Sequence, residues 1–166
     1  MRREKEQTNT NTMTQSIKLS TDQMRLMSLF QKITKVTAHD CIDDEKQDRL
    51  IFVVNTGKMG LAIGKGGSNI KSLNNMLKRS VELVEYFDDP TKFLKNVFNP
   101  KFINDVKIST KPDGSLQAMV MVDPVKKGIV VGREGRNAER ARLLAKRYFD
   151  ISSVLIVSHE IREMEM

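Results

Sequence analysis

Apolar residues along this chain follow two rhythms in alternation. Behind Ser20 and Thr21, which can cap a helix beginning at Asp22, Met24, Leu26, Met27, Phe30 and Ile33 recur at helical spacing. Val36–Ile42 then alternates as a strand, Asp43–Asp48 reads as a polar turn, and Leu50–Val54 is a second strand with β-branched content. Gly57 and Gly60 end it. Met59–Ile63 reads as a short helix, Ser68–Arg79 as a longer one with Ile70, Leu73 and Leu77 on its buried side, and Val81–Phe87 as a closing strand. Asp88-Asp89-Pro90 interrupts the pattern, because proline disfavours helix at the residue before it and suits the first turn of the next.

The same rhythm then restarts. Thr91–Phe98 reads as a helix ended by Asn99-Pro100. Strands at Phe102–Ser109 and Leu116–Val122 flank Lys111-Pro112-Asp113-Gly114, a hairpin signal. Pro124–Val131 leads into a glycine loop. Arg136–Phe149 is a cationic helix with Ala138, Ala141, Leu144, Ala145 and Tyr148 inward, and Ser153–Ser158 is the last strand. Each half runs α-β-β-α-loop-α-β, which predicts an α+β protein of two units, 19–88 and 89–161. Polar tails flank them at 1–18 and 162–166. The first tail contains Thr8-Asn9-Thr10-Asn11-Thr12 and almost nothing to bury, so it is expected to be disordered.

The restart is an internal repeat in register. Ile63-Gly64-Lys65-Gly66-Gly67 returns as Val131-Gly132-Arg133-Glu134-Gly135, its first glycines 68 positions apart. At that offset Lys58 meets Lys126, Gly60 meets Gly128, Leu61-Ala62-Ile63 meets Ile129-Val130-Val131, and Asn69 meets Asn137. A Gly-x-x-Gly loop gives a backbone path closed to residues with a Cβ and lets a sugar–phosphate chain come close. The helix behind it offers unpaired amides and a partial positive charge to anions.

Charge follows the loops. Lys58, Lys65, Lys71, Lys78 and Arg79 give +5 over 58–79 with no acid among them. Eight cations against Glu134 and Glu139 give +6 over 126–147, so a chain of net charge +7 sums to −4 elsewhere. Arg136, Arg140 and Arg147 fall on one side of their helix, opposite the alanines, and their nearness to the second loop favours phosphate contact. Positive charge gathered in this way suits an anionic backbone.

The two loop segments resemble those of KH domains, modules in which Gly-x-x-Gly clamps about four single-stranded nucleotides. The tandem arrangement, from about Leu19 to Ile161, is similar to the archaeal NusA-related transcription termination factors. The resemblance implies two type II (prokaryotic) KH domains, each a three-stranded sheet covered by helices on one face. It also implies a non-enzymatic, cytoplasmic, monomeric protein that binds single-stranded RNA in transcription elongation and termination. RNA polymerase or other transcription factors would be its further partners, and ribosome assembly or RNA processing is the alternative. The implied RNA-binding residues are Lys58, Ile63, Gly64, Lys65, Gly66, Gly67, Ser68, Asn69 and Lys71 in the first unit. In the second they are Lys126, Val131, Gly132, Arg133, Glu134, Gly135, Arg136, Asn137 and Arg140. Bases would meet apolar groove residues drawn from Leu61, Ala62, Ile63 and Ile70, and from Ile129, Val130, Val131 and Ala138, some of which must be core. Glu134 sets a carboxylate where a phosphate would pass, which marks the second loop as the weaker clamp.

Other chemistries fit poorly. A nucleotide-binding P-loop needs four residues between its glycines and Ser or Thr after the lysine, whereas three separate Gly60 from Gly64 and Gly66 follows Lys65. A dinucleotide fingerprint lacks its third glycine at Asn69. His39 and Cys41 sit two apart on a strand and would share a face, but with His39, Cys41 and His159 as the candidates no zinc set assembles, and no metal or cofactor is expected. The acids show no pairing suited to proton transfer. Few aromatics (no Trp, two Tyr, seven Phe) argue against a stacking platform. No apolar run approaches bilayer length, no secretory leader is evident, and one cysteine excludes an internal disulfide framework. A protein-interaction adaptor with degenerate loops is the reading from another class.

Overall fold

The computed structural model describes residues 19–158; the two tails, His159 and the end of the second unit lie outside them. The first unit runs α1 (Thr21–Thr34), β1 (Ala38–Asp44), β2 (Arg49–Val54), α2 (Met59–Ile63), α3 (Ser68–Leu77) and β3 (Ser80–Glu85). The second repeats the order with α4 (Pro90–Phe98), β4 (Asp105–Thr110), β5 (Leu116–Val122), α5 (Lys127–Val131), α6 (Arg136–Phe149) and β6 (Ile151–Ser158). Each sheet has three strands, the first two antiparallel and the last two parallel. This is the α+β, twice-repeated KH architecture that the resemblance implies.

Local chemistry accounts for the element ends. Ser20 and Gln23 form a reciprocal capping box at the start of α1, Oγ accepting from the Gln23 amide at 3.1 Å and Gln23 Oε1 from the Ser20 amide at 2.9 Å. Asp89 caps α4, with Pro90 at its first position. One expected turn is shorter than the sequence suggests: Asp43 and Asp44 belong to β1 rather than to the loop. Both are ion-paired, Asp44 to Arg49 at 2.7 Å and Asp43 to Arg79 at 2.7 Å.

The core explains how the units meet. One face of the first sheet, with Cys41, Leu50, Phe52 and Val54, packs on Phe30, Ala62 and Leu73 of the unit's own helices. The opposite face, with Ile42, Ile51, Val53 and Val84, joins a cluster containing Phe93, Leu94, Val97 and Phe98 of α4 and Ala141, Leu144 and Ala145 of α6. Every residue of β2 is therefore buried. A strand covered on both faces reads as an unbroken apolar run instead of an alternating one, as Leu50-Ile51-Phe52-Val53-Val54 does. The helices of its own unit cover the first sheet on one face, as expected, and helices of the second unit close its back.

Candidate nucleic-acid interface

The two loops adopt one backbone path. Gly64 has φ 81°, ψ 166° and Gly132 has φ 84°, ψ 166°. Gly66 and Glu134 are both left-handed, at φ 62° and φ 57°, and Gly67 and Gly135 follow at φ 76° and φ 72°. A Cβ on Gly64 would lie 2.8 Å from the Asn69 side chain, and one on Gly132 would lie 2.8 Å from Asn137. Neither helix behind the loops has a side-chain cap, so α3 and α6 leave their N-termini open to an anion.

Of the proposed contacts, Gly64, Lys65, Gly66, Gly67 and Ser68 stand together at the first loop and Gly132, Arg133, Glu134 and Gly135 at the second. Lys65, Arg133 and Glu134 are exposed. Asn69 and Asn137 also hold the loops in place. Their Nδ2 groups donate back to the carbonyls of Leu61 at 3.1 Å and Ile129 at 3.3 Å, bracing each loop against the helix before it. Lys58 lies at the far end of α2, where with Lys35, Asn55 and Leu61 it lines a separate depression of about 290 Å³. Its counterpart Lys126 is half-buried, its ammonium 5.3 Å from the centre of the Phe102 ring.

Behind the first loop lies a groove of about 740 Å³ lined by Met59, Ile63, Gly67, Ile70, Lys71, Val81, Leu83 and Asn99. Burial sorts the apolar candidates. Ala62, Val130 and Ala138 are core, whereas Leu61 at 63%, Ile63 at 37% and Ile129 at 56% are exposed, with Ile70 and Val131 between. The wall residues Met59, Val81, Leu83 and Asn99 were not legible as site residues, because only the fold brings β3 and the end of α4 alongside α2.

The arginine face of α6 departs most from expectation. Arg140 meets Glu82 of β3 at 2.6 Å and donates to the Val97 carbonyl at 3.0 Å, and Arg136 meets the same carboxylate at 3.2 Å. Buried Arg49 adds a third contact to Glu82 at 3.2 Å. Burial opposes the Glu82 charge, but Arg140 foremost, with Arg49 and Arg136, outweighs it and holds its pKa below the ordinary carboxylate value. Arg147 and Tyr148 bind the buried carboxylate of Asp40, Arg147 Nη2 at 2.9 Å. These cations join the two units. The sequence signal was on the other partner: acids at 40 and 82 inside apolar strands need a cation once buried.

Basic side chains without an acid partner among the described residues include Lys65 and Lys71 in the first unit and Lys127 and Arg133 in the second. His39 and Cys41 do not share a face, because β1 changes register between Ala38 and Asp40. His39 is exposed and stacks on Tyr86 at 4.7 Å, while Cys41 is buried, its thiol pushed up to about 12 by burial and by Asp40. No group of three or more metal-ligating side chains occurs among the described residues, and no helix there is long and apolar enough to cross a membrane.

Residues 25–87 match the KH domain family. The protein is 39% identical over 141 residues to a protein of Halobacterium salinarum named "probable transcription termination protein NusA", covering 84% of this chain and 97% of that one. A protein of the same name from Methanocaldococcus jannaschii is 32% identical over 141 residues, 85% of this chain and 75% of its own. The chain belongs to the NusA family. Its fold is similar to the crystal structure of APE1850, with a TM-score of 0.76 at 38% identity over 84% of this chain and all of that one. Both loops and the Glu82 junction lie within the region shared with these NusA proteins.

Proposed function

We propose that the protein is a non-enzymatic, single-stranded RNA-binding factor of transcription elongation and termination. Its two KH units, divided near residues 88 and 89, present one surface on which each Gly-x-x-Gly loop clamps the RNA backbone. The observation that carries this reading is the matched pair of loops, equal in backbone angles to within 10°, each beside an exposed cation, Lys65 or Arg133, and an uncapped helix N-terminus. Phosphate would pass along the loop amides with Lys65, Lys71, Lys127 and Arg133 beside it, and bases would turn toward Ile63 and Ile70. Linking the two modules raises avidity when both engage one strand.

The test is the affinity for a mixed-sequence single-stranded RNA as salt is varied, for wild type and for Lys65→Asp and Arg133→Asp. The wild type should show a linear fall of log affinity with log salt as counterions are released. Each variant should bind more weakly, and Lys65→Asp the more so, because its loop carries no opposing carboxylate. Unchanged affinity in both variants would favour the protein-interaction adaptor.

A further inference from the structure

We propose that Asn99, which belongs to the second unit, reads a base in the groove of the first. The inference rests on the RNA-binding reading of that groove and adds a residue that sets its base preference. Asn99 is the one neutral polar residue on a wall otherwise made of apolar side chains, Gly67 and Lys71. Grooves of this kind take orientation and specificity from the few polar groups in them.

Its position is held from two sides. On β3, Val81 and Leu83 line the groove, while Glu82 between them points to the opposite face and binds Arg140. Arg140 also donates to the Val97 carbonyl in the last turn of α4, two residues before Asn99. The strand that forms the groove wall thus also fixes the end of the helix that delivers Asn99. The backbone there is unusual for a residue with a Cβ: Asn99 has φ 92°, ψ 104°. Sparsely populated conformations of this kind persist where the surroundings impose them, and they gather at ligand sites.

The side chain is oriented for donation. Oδ1 accepts the Lys101 amide at 3.1 Å, which identifies the oxygen end, and Nδ2 has no partner among the described residues. Two hydrogens on one nitrogen suit a base with adjacent acceptors. Cytosine offers N3 and O2, and guanine offers N7 and O6. An Asn usually reads adenine by accepting from N6 through Oδ1 while donating to N7, and with Oδ1 engaged by the Lys101 amide that pairing is weakened, so adenine is disfavoured.

The experiment compares oligocytidine and oligoadenosine of equal length, binding to the full chain by fluorescence anisotropy at one salt concentration, for wild type, Asn99→Gly and Lys65→Asp. Glycine tolerates the positive φ, so Asn99→Gly keeps the backbone path while removing the side chain and its bond to the Lys101 amide. The wild type should prefer oligocytidine by about fivefold or more, as one base contact of this kind provides. Asn99→Gly should bring the two RNAs close to equal, while Lys65→Asp should weaken both together and keep their ratio. A wild type without preference, or an Asn99→Gly protein that keeps it, overturns the assignment of Asn99 alone if Lys65→Asp still loses binding. Full binding by Lys65→Asp would instead remove the clamp at the first loop, on which the reading of this groove rests.

Discussion

Glu134 carries two penalties at one position. It holds φ 57°, ψ 30°, where the first loop has Gly66 at φ 62°, ψ 21°. A side chain in that region costs about 1–2 kcal/mol, whereas glycine loses roughly 0.5–1 kcal/mol more backbone entropy on folding, so Glu134→Gly should leave stability within about 1 kcal/mol. Its effect on RNA should be larger. Removing a unit charge about 4 Å from a phosphate is worth about 1 kcal/mol in water, so the variant should bind single-stranded RNA roughly fivefold more tightly at low salt. Anisotropy titration and a thermal melt check both halves. At this same scale Asn69 and Asn137 recur in register with a structural role that the repeat alone does not state: each braces a loop in which a glycine Cβ would collide with it.

Between elements, the decisive difference is the length of the second cationic helix. α3 has 10 residues and α6 has 14, and the added turn supplies Arg147 and Tyr148, which reach Asp40 in the first unit. Two and three turns earlier Arg140 and Arg136 converge on Glu82, whose pKa the arginines hold below the ordinary value. A depressed carboxylate stabilises the fold at pH above its unfolded value, about 4.3, and loses that contribution as pH falls through the folded value. Glu82→Gln should therefore cost on the order of 3 kcal/mol near neutrality, since it leaves Arg136 and Arg140 without an acid partner and Arg49 with Asp44 alone. The gap between wild type and variant should narrow as unfolding is measured at pH falling below about 4. A gap independent of pH would mean that Glu82 acts through packing rather than charge. Element order was readable because each helix and strand announces its own period. The use of the arginine face was not, since Arg140 and Glu82 are 58 residues apart and their meeting is a product of the tandem fold.

For the molecule as a whole, the shared core makes two repeats behave as one. Ile42, Ile51, Val53 and Val84 of the first sheet belong to the same cluster as Phe93, Leu94, Val97 and Phe98 of α4. The clue lay in Leu50–Val54, whose unbroken apolar run states that both faces of β2 are covered, although it does not say by what. Separating the units would expose the four first-sheet residues to water, at about 25 cal/mol for each Å² of apolar surface. The carboxylates of Asp40 and Glu82 would lose their cations from α6 in the same step. Heating the full chain should accordingly give one cooperative calorimetric transition, with equal van't Hoff and calorimetric enthalpies. A fragment of residues 19–88 should melt at lower temperature than the full chain and bind a hydrophobic dye, because its sheet has lost the cover over one face. Two separate transitions in the full chain, or a fragment as stable as the whole, would show that the units fold independently. The geometry that carries Asn99 to the first groove would then depend on a junction free to open.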